Sequence, residues 1–363
     1  MLTSNAQENG KESPRLAVRL LTRTWLALKK DRLLYLAIFL YIAFSWMAAD
    51  LAGVGDRYSV LVYPETTITV TLAFLGGFFV VYGGYVIVMV RPASPLSYMF
   101  DVIWTWLSSE AMLRALFLVS AFTFFFSAVS SFKTLIPAFQ PFTWDPHLAA
   151  LDQQLHGGLQ PWQILQPLLG SPPVTFVLNF FYNLWFFVMF VAYYWQVVWI
   201  RNEALRSRFL LSFILCWAIN GSILAVIFSS VGPCFYGRFY PDLVNPYAGL
   251  MSYLKHANDV LPIWALPTQN MLWDLHLQDK LGVGAGISAM PSMHISIAWL
   301  IFMLSRQGPR WLAWLGGTFF VLIFIGSILL GWHYAVDGYL SVIVTTLIWF
   351  VVKKGHEKYF PQG

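Results

Sequence analysis

The sequence predicts an all-α fold, a polytopic bundle of about eight transmembrane helices. Of its 363 residues, 58% are hydrophobic and only 11% are charged, a balance that soluble domains do not show. Several apolar runs approach the roughly 20 residues that a helix needs to cross about 30 Å of hydrocarbon. None has the alternating pattern of ~10 residues that is typical of a barrel strand. We therefore expect an integral membrane protein.

The N-terminal region differs from the rest of the chain. Residues 1–14 are polar and lack the features of a cleavable signal peptide. Arg15, Arg19 and Arg23 then recur every fourth residue opposite leucines, which predicts a basic amphipathic helix on the membrane surface. We treat residues 1–32 as a cytoplasmic tail that contains this helix.

The apolar runs that follow divide the chain into three further segments. Two extra transmembrane helices are expected in 33–111, a six-helix catalytic core in 112–352, and a short cytoplasmic tail in 353–363. The predicted spans are residues 33–49, 68–90, 112–131, 174–200, 209–230, 290–305, 311–331 and 334–352.

Lysines and arginines gather in alternate links between these spans, as they do in the cytoplasmic loops of membrane proteins. Examples are RNEALRSR (201–208), SRQGPR (305–310) and KKGHEK (353–358). Both termini would then be cytoplasmic, and the long loops 132–173 and 231–289 would share the exterior face. Because membrane topology accounts for the net charge of +5, that charge does not indicate a nucleic-acid partner.

Polar residues mark the exterior end of two of the last spans. The loop VGAGISAMPSMHIS (283–296) brings glycines to a helix start, where we expect Ser288 as the cap and Pro291 in the first turn. Free backbone N–H groups at such a start attract anions. His294 follows on the same turn. Downstream, GWHYAVDGY places His333 and Asp337 four residues apart, a spacing that puts both on one helix face if the helix begins at or before His333.

These two segments carry a family resemblance. AMPSMHIS and GWHYAVDGY resemble the second and third signature motifs of the type 2 phosphatidic acid phosphatase superfamily. Their short P-S-x-H and H-Y-x-x-D forms, and the loop 132–162, resemble the inositol phosphorylceramide synthase branch. Phosphatase members carry a Ser-Arg pair upstream of the last histidine, but Ser327 stands where the arginine would be. The K-x6-R-P first motif is also missing. The resemblance covers roughly residues 112–352 and implies a six-span catalytic core.

The resemblance implies two-step chemistry at phosphorus, and the residue types suit it. His333 would be the nucleophile and Asp337 would accept its second ring N–H. His294 would be the general acid and base. The expected phosphate ligands are Arg238, Ser292 and the amides near residues 291–293, with Lys133 or Lys255 in place of the missing lysine. We expect no cofactor and no metal, since the histidines and aspartates of the exterior loops match no metal-ligand spacing.

We therefore expect an enzyme that transfers or hydrolyses the phosphate-bearing headgroup of a membrane lipid, with a lipid alcohol as the acceptor in the transfer reaction. The alternative within this class is a lipid phosphate or polyprenyl pyrophosphate phosphatase. Outside it, the His and Asp pair could serve a transporter as a proton relay, or the chain could be an inactive scaffold. The site would face the periplasm or an organelle lumen, and we favour a bacterial inner membrane.

Overall fold

The computed structural model describes residues 22, 24–278 and 280–359, with the backbone alone for 356–359. Within these residues the regular structure is helical throughout, and no strand is present. Residues 24–30 are helical, but Arg15, Arg19 and Arg23 of the predicted surface helix lie outside the described part.

Thirteen helices organise the described chain. They are α1 (Arg32–Leu51), α2 (Pro64–Tyr85), α3 (Pro95–Leu107), α4 (Glu110–Phe139), α5 (Asp145–Leu155), α6 (Pro161–Leu169), α7 (Pro172–Val198), α8 (Glu203–Ala218), α9 (Ala248–Val260), α10 (Ala265–Leu277), α11 (Met293–Ser305), α12 (Arg310–Leu329) and α13 (Ala335–Tyr359). Shorter helical turns occupy Gly55–Arg57, Val86–Val90, Ile219–Leu224, Ala225–Ile227, Pro233–Phe235 and Tyr236–Phe239.

Eight of these helices correspond to the eight predicted spans. Seven of them, α1, α2, α4, α7, α8, α12 and α13, are long and apolar enough to cross a membrane. In two of these, α2 and α8, the π-helical turns Val86–Val90 and Ile219–Leu224 prolong the span. The eighth helix, α11, is apolar but has only 13 residues. The predicted multi-pass helical bundle is thus confirmed.

Five further helices lie in segments that the sequence predicts to be links between spans. One of them, α3, follows α2, and α5, α6, α9 and α10 lie in the two long loops. Hydropathy does not mark them as spans because each has 13 residues or fewer. Proline at the first or second position helps to start α3, α5 and α6, since its fixed φ suits a first turn.

A buried charge cluster ties three helices together at one end of the bundle. The carboxylate of Asp31 accepts hydrogen bonds from Arg114 at 2.8 and 3.0 Å and from Arg206 at 2.5 and 3.2 Å. Glu203 completes the cluster through Arg114. Burial opposes ionisation of Asp31, but the two guanidinium groups hold the pKa of its carboxyl below the ordinary value. These residues join the starts of α1, α4 and α8.

The cluster also defines one end of the bundle. It joins Arg114 to the basic segment 201–208, for which the sequence predicts the cytoplasmic side. In α4, Lys133 is 19 residues beyond Arg114, which is roughly 28 Å along a helix. That distance is close to the thickness of the hydrocarbon core. The end near Lys133 is therefore the opposite membrane surface.

Candidate active site

A cavity of ≈ 350 Å³ lies near the Lys133 end of the bundle, and both motif histidines line it. Its walls come from the spans α4, α7 and α8, and from the segments just before α11 and α13. Tyr63, which directly precedes α2, one of the two extra spans, also lines the cavity. Its hydroxyl accepts a hydrogen bond from the amide of Gly284 at 3.2 Å. Most of the wall is apolar, which suits an amphiphilic ligand.

His333 lies in the tight turn between α12 and α13. Gly331 in this turn has φ +74°, and the amide of His333 donates to the carbonyl of Ser327 at 3.1 Å. The imidazole is only 6% exposed, and its Nδ1 lies 2.9 Å from the carbonyl oxygen of Ala289. Because a carbonyl can only accept, Nδ1 must carry the hydrogen. The lone pair is then on Nε2, the atom that can attack an electrophile.

The surroundings of His333 keep this ring neutral. Burial lowers its pKa to about 3, the positive charge of Lys133 acts in the same direction, and the Ala289 carbonyl acts against them. A neutral imidazole is the form that a nucleophile requires.

Asp337 lies behind the ring in the first turn of α13. Its Oδ2 is 3.3 Å from Nδ1 of His333 and also accepts the amide hydrogen of Tyr334 at 3.0 Å. The side chain is fully buried, and its Oδ1 has no hydrogen-bond partner among the described residues. A carboxylate in this position stabilises positive charge that develops on the imidazole.

His294 faces His333 from the first turn of α11. The two ring centroids are 5.9 Å apart. The His294 ring packs against Tyr182 at 4.5 Å and against Trp185 at 4.3 Å, and the Trp185 indole donates to the His294 carbonyl. The two imidazoles therefore border the same part of the cavity.

Lys133 supplies the positive charge of the cavity. Among the described residues that line the cavity it is the only lysine or arginine, and no carboxylate side chain joins it. The loop before α11 approaches it closely because Gly286 has no side chain. A Cβ at Gly286, whose φ is +87°, would lie 2.9 Å from the Lys133 backbone.

The other predicted phosphate ligands lie elsewhere. Arg238 is exposed, donates to Asn270 at 2.9 Å and stacks on Trp273 at 4.9 Å. Lys255 is exposed on α9. Ser292 is fully buried. None of Arg238, Lys255 and Ser292 lines the cavity.

The start of α11 also differs from the prediction. The helix begins at Met293, three residues later than expected, and its N-cap is Ser292, whose hydroxyl accepts from the amide of Ile295 at 3.3 Å. Ser288, the predicted cap, lines the cavity instead.

Two buried carboxylates near His333 were not predicted as site residues. Asp152 accepts the amide hydrogens of Ala335 and Val336 at 2.8 and 3.0 Å and so caps α13, the helix that follows His333. Asp145 accepts from the amides of Val231 and Gly232 and from the hydroxyl of Tyr334. They are seven residues apart, a spacing that places both on one face of α5, and this was the only signal that the sequence offered.

Comparison with known proteins identifies the family of the chain. The model of the PAP2 superfamily matches residues 146–351, which is more than half of the chain. The chain therefore belongs to the PAP2 superfamily, whose members are in general phosphatases and phosphotransferases. This is the superfamily that the two histidine motifs resemble. Neither the curated proteins nor the solved structures gave a match.

Proposed function

We propose that the protein is a lipid phosphotransferase of the inositol phosphorylceramide synthase kind. It would move the phosphate-bearing headgroup of a membrane phospholipid to the hydroxyl of a second lipid through a phosphohistidine. The observation that carries the proposal is the pair of facing imidazoles, 5.9 Å apart, one of which has its Nδ1 hydrogen bonded to Ala289 and its Nε2 free to attack.

In the first step, Nε2 of His333 attacks phosphorus, and the bond between phosphorus and the oxygen of the leaving alcohol breaks. His294 gives a proton to that oxygen, so the alcohol leaves neutral. The positive charge that forms on the His333 ring is stabilised by Asp337, 3.3 Å from Nδ1. Lys133 stabilises the negative phosphoryl oxygens.

In the second step, the hydroxyl oxygen of the acceptor lipid attacks the same phosphorus. His294, now neutral, takes the proton of this hydroxyl, and the bond between phosphorus and Nε2 breaks. Both imidazoles are returned to their starting protonation states. If water takes the place of the acceptor, the same steps produce hydrolysis.

The charge of the cavity supports a phosphodiester as the donor. A phosphomonoester carries about −1.5 to −2 charges at pH 7, whereas a phosphodiester has one ionisable oxygen and a single charge. Lys133 is the only lysine or arginine among the described residues of the wall, and it matches a single charge. We therefore assign the phosphate-binding role to Lys133 rather than to Arg238, Lys255 or Ser292. The lysine and arginine distribution favours an active site that faces the periplasm or an organelle lumen.

The test is a transfer assay with purified protein and a phospholipid labelled in its headgroup phosphate. We expect the label in a new lipid when a lipid alcohol is supplied, and trapped label on the wild-type protein but not on His333→Ala. The exposed His256, changed to Ala, is the matched control and should leave turnover unchanged. Release of water-soluble labelled product alone, whatever alcohol is added, would contradict transfer, and full activity of His333→Ala would contradict the mechanism.

A further inference from the structure

A second cavity lies far from the histidines, on the turn between α11 and α12. Its volume is ≈ 580 Å³, and it is lined by Arg306, Arg310 and the first three turns of α12. The groove lies at the start of α12, a helix of 20 residues that ends just before the turn of His333, so roughly 30 Å of helix separates the two sites. The groove is thus separate from the catalytic site.

The two arginines of the groove are available to a ligand. Both side chains are exposed, and neither takes part in any ion pair found among the described residues. Arg306 lies over the ring of Phe302 at 5.8 Å, which holds its guanidinium beside the groove. No carboxylate lines the groove within the described chain. Guanidinium groups bind phosphate oxygens through paired hydrogen bonds.

The remainder of the groove is apolar and runs along α12. Gly317 forms its floor, because a Cβ there would lie 3.3 Å from the ring of Phe302. Trp314, which is 78% exposed, and Phe320 stand beside it. Val321 is eleven residues beyond Arg310, or roughly 16 Å along the helix axis. This is about half of the ~30 Å hydrocarbon core, the depth of one leaflet.

We propose that this groove binds one anionic phospholipid of the surrounding leaflet. Its phosphate and net negative charge would contact Arg306 and Arg310, and one acyl chain would lie on Gly317 towards Val321. The groove has two arginines at one end and an apolar surface that extends along α12 for about the depth of one leaflet. This combination identifies the occupant as a lipid rather than a free anion. A net-neutral phospholipid would bind more weakly because its amine is repelled by the two arginines.

The test measures association of spin-labelled phosphatidylglycerol with the purified full chain, relative to phosphatidylcholine with the same acyl chains. Arg306→Gln/Arg310→Gln should weaken the preference for phosphatidylglycerol by about twenty-five-fold, since each arginine near an anionic headgroup is worth about fivefold. Arg201→Gln/Lys354→Gln, which removes the same charge from two exposed positions outside the groove, should keep most of the preference. Equal losses in the two double variants would overturn the proposal.

A second variant tests the apolar slot without a change of charge. Thr318 is exposed and lines the groove, so Thr318→Trp fills the slot from its lipid-facing side. We expect a loss of phosphatidylglycerol preference of at least fivefold, with lipid turnover in phosphatidylcholine bilayers unchanged. An undiminished preference would show that the acyl chain does not lie there. Inorganic phosphate should not compete with the labelled lipid, and effective competition would assign the arginines to a soluble anion instead.

Discussion

The Nδ1 hydrogen of His333 is held chiefly by the carbonyl oxygen of Ala289, at 2.9 Å, while the nearer oxygen of Asp337 is at 3.3 Å. In a catalytic triad of the Ser-His-Asp kind the aspartate alone fixes the tautomer, and its change to asparagine costs about 10⁴ in kcat. Here a backbone carbonyl, which no side-chain substitution removes, already fixes it.

Asp337→Asn should therefore reduce kcat by only about 10²-fold, through lost stabilisation of the imidazolium. Steady-state kinetics of the transfer reaction measure this, with His333→Ala as the reference for complete loss. A loss for Asp337→Asn as large as that for His333→Ala would mean that the carboxylate, and not Ala289, sets the tautomer.

Two glycines of the loop before α11 form a matched pair. Both have positive φ, at +69° for Gly284 and +87° for Gly286, so alanine is strained at either position. Only at Gly286 would the new Cβ collide, at 2.9 Å from the Lys133 backbone.

Gly286→Ala should thus displace Lys133 and lower kcat/KM by about 10- to 100-fold, because small errors in position are costly in catalysis. Gly284→Ala, with open space around its Cβ, should lose less than threefold despite similar strain. Equal effects of the two variants on kcat/KM would contradict the proposed phosphate-binding role of Lys133.

Asp152 positions His333 through the start of α13. Asp152→Ala leaves the amides of Ala335 and Val336 without their acceptor, and loss of such a cap costs about 0.5–2 kcal/mol. We expect a fall in kcat with little change in KM, because Asp152 does not line the cavity. Asp152→Asn, which keeps one acceptor oxygen, should restore part of kcat. Asp259→Ala, at an exposed position of α9, is the control and should affect neither quantity.

At the end of the bundle opposite the cavity, the buried charge cluster should make the largest contribution to the free energy of unfolding. Asp31→Asn leaves the buried Arg114 and Arg206 without their shared carboxylate, and breaking a buried ion pair from one side costs about 3–5 kcal/mol. Lys30→Gln breaks an exposed ion pair with Glu110, worth about 0–1 kcal/mol. Thermal unfolding in detergent should rank the two variants in this order, and a similar loss in both would contradict the assigned burial.

His333 should also make stability depend on pH. Its pKa is about 3 in the folded protein and ordinarily about 6.5, so only the unfolded chain takes up the proton between these values. The contribution is complete above pH 6.5 and is lost as the pH falls, by about 1.4 kcal/mol per pH unit. The difference in Tm between wild type and His333→Asn should shrink from pH 7 to pH 5. A difference in Tm that stays constant over this range would contradict the burial of the neutral His333 ring.

The spans and the histidine pair could be predicted because their signals are local. Twenty apolar residues predict a helix by themselves, and both histidine motifs are short stretches of sequence. Asp337 does lie close to His333, but the contact is made from the turn before α13 rather than on a shared helix face, because α13 begins at Ala335. The cation that lines the cavity could not be predicted in this way. Lys133, Arg238 and Lys255 all precede or follow spans on the same face, and the choice depends on which loops pack over the cavity.

The same limit applies to Asp145 and Asp152. Their acceptor oxygens meet amides that lie between about 86 and 184 positions away in the chain, and no periodic pattern encodes such a pairing. In the sequence they match no metal-ligand spacing, and nothing there marks them as partners of a distant helix. Long-range hydrogen bonds of this kind are set by tertiary packing, which a single sequence does not display.

The position of Lys133 and Tyr63, before the segment that the family model matches, has a practical consequence. The recognised family segment begins at residue 146, yet the wall of the catalytic cavity includes these two side chains from earlier in the chain. A protein shortened to that segment would keep the proposed nucleophile and proton donor but not the cation proposed to hold the phosphate. Exchange of α1–α4 between relatives should therefore transfer substrate preference. Exchange of the family segment that carries the two histidines should not transfer it.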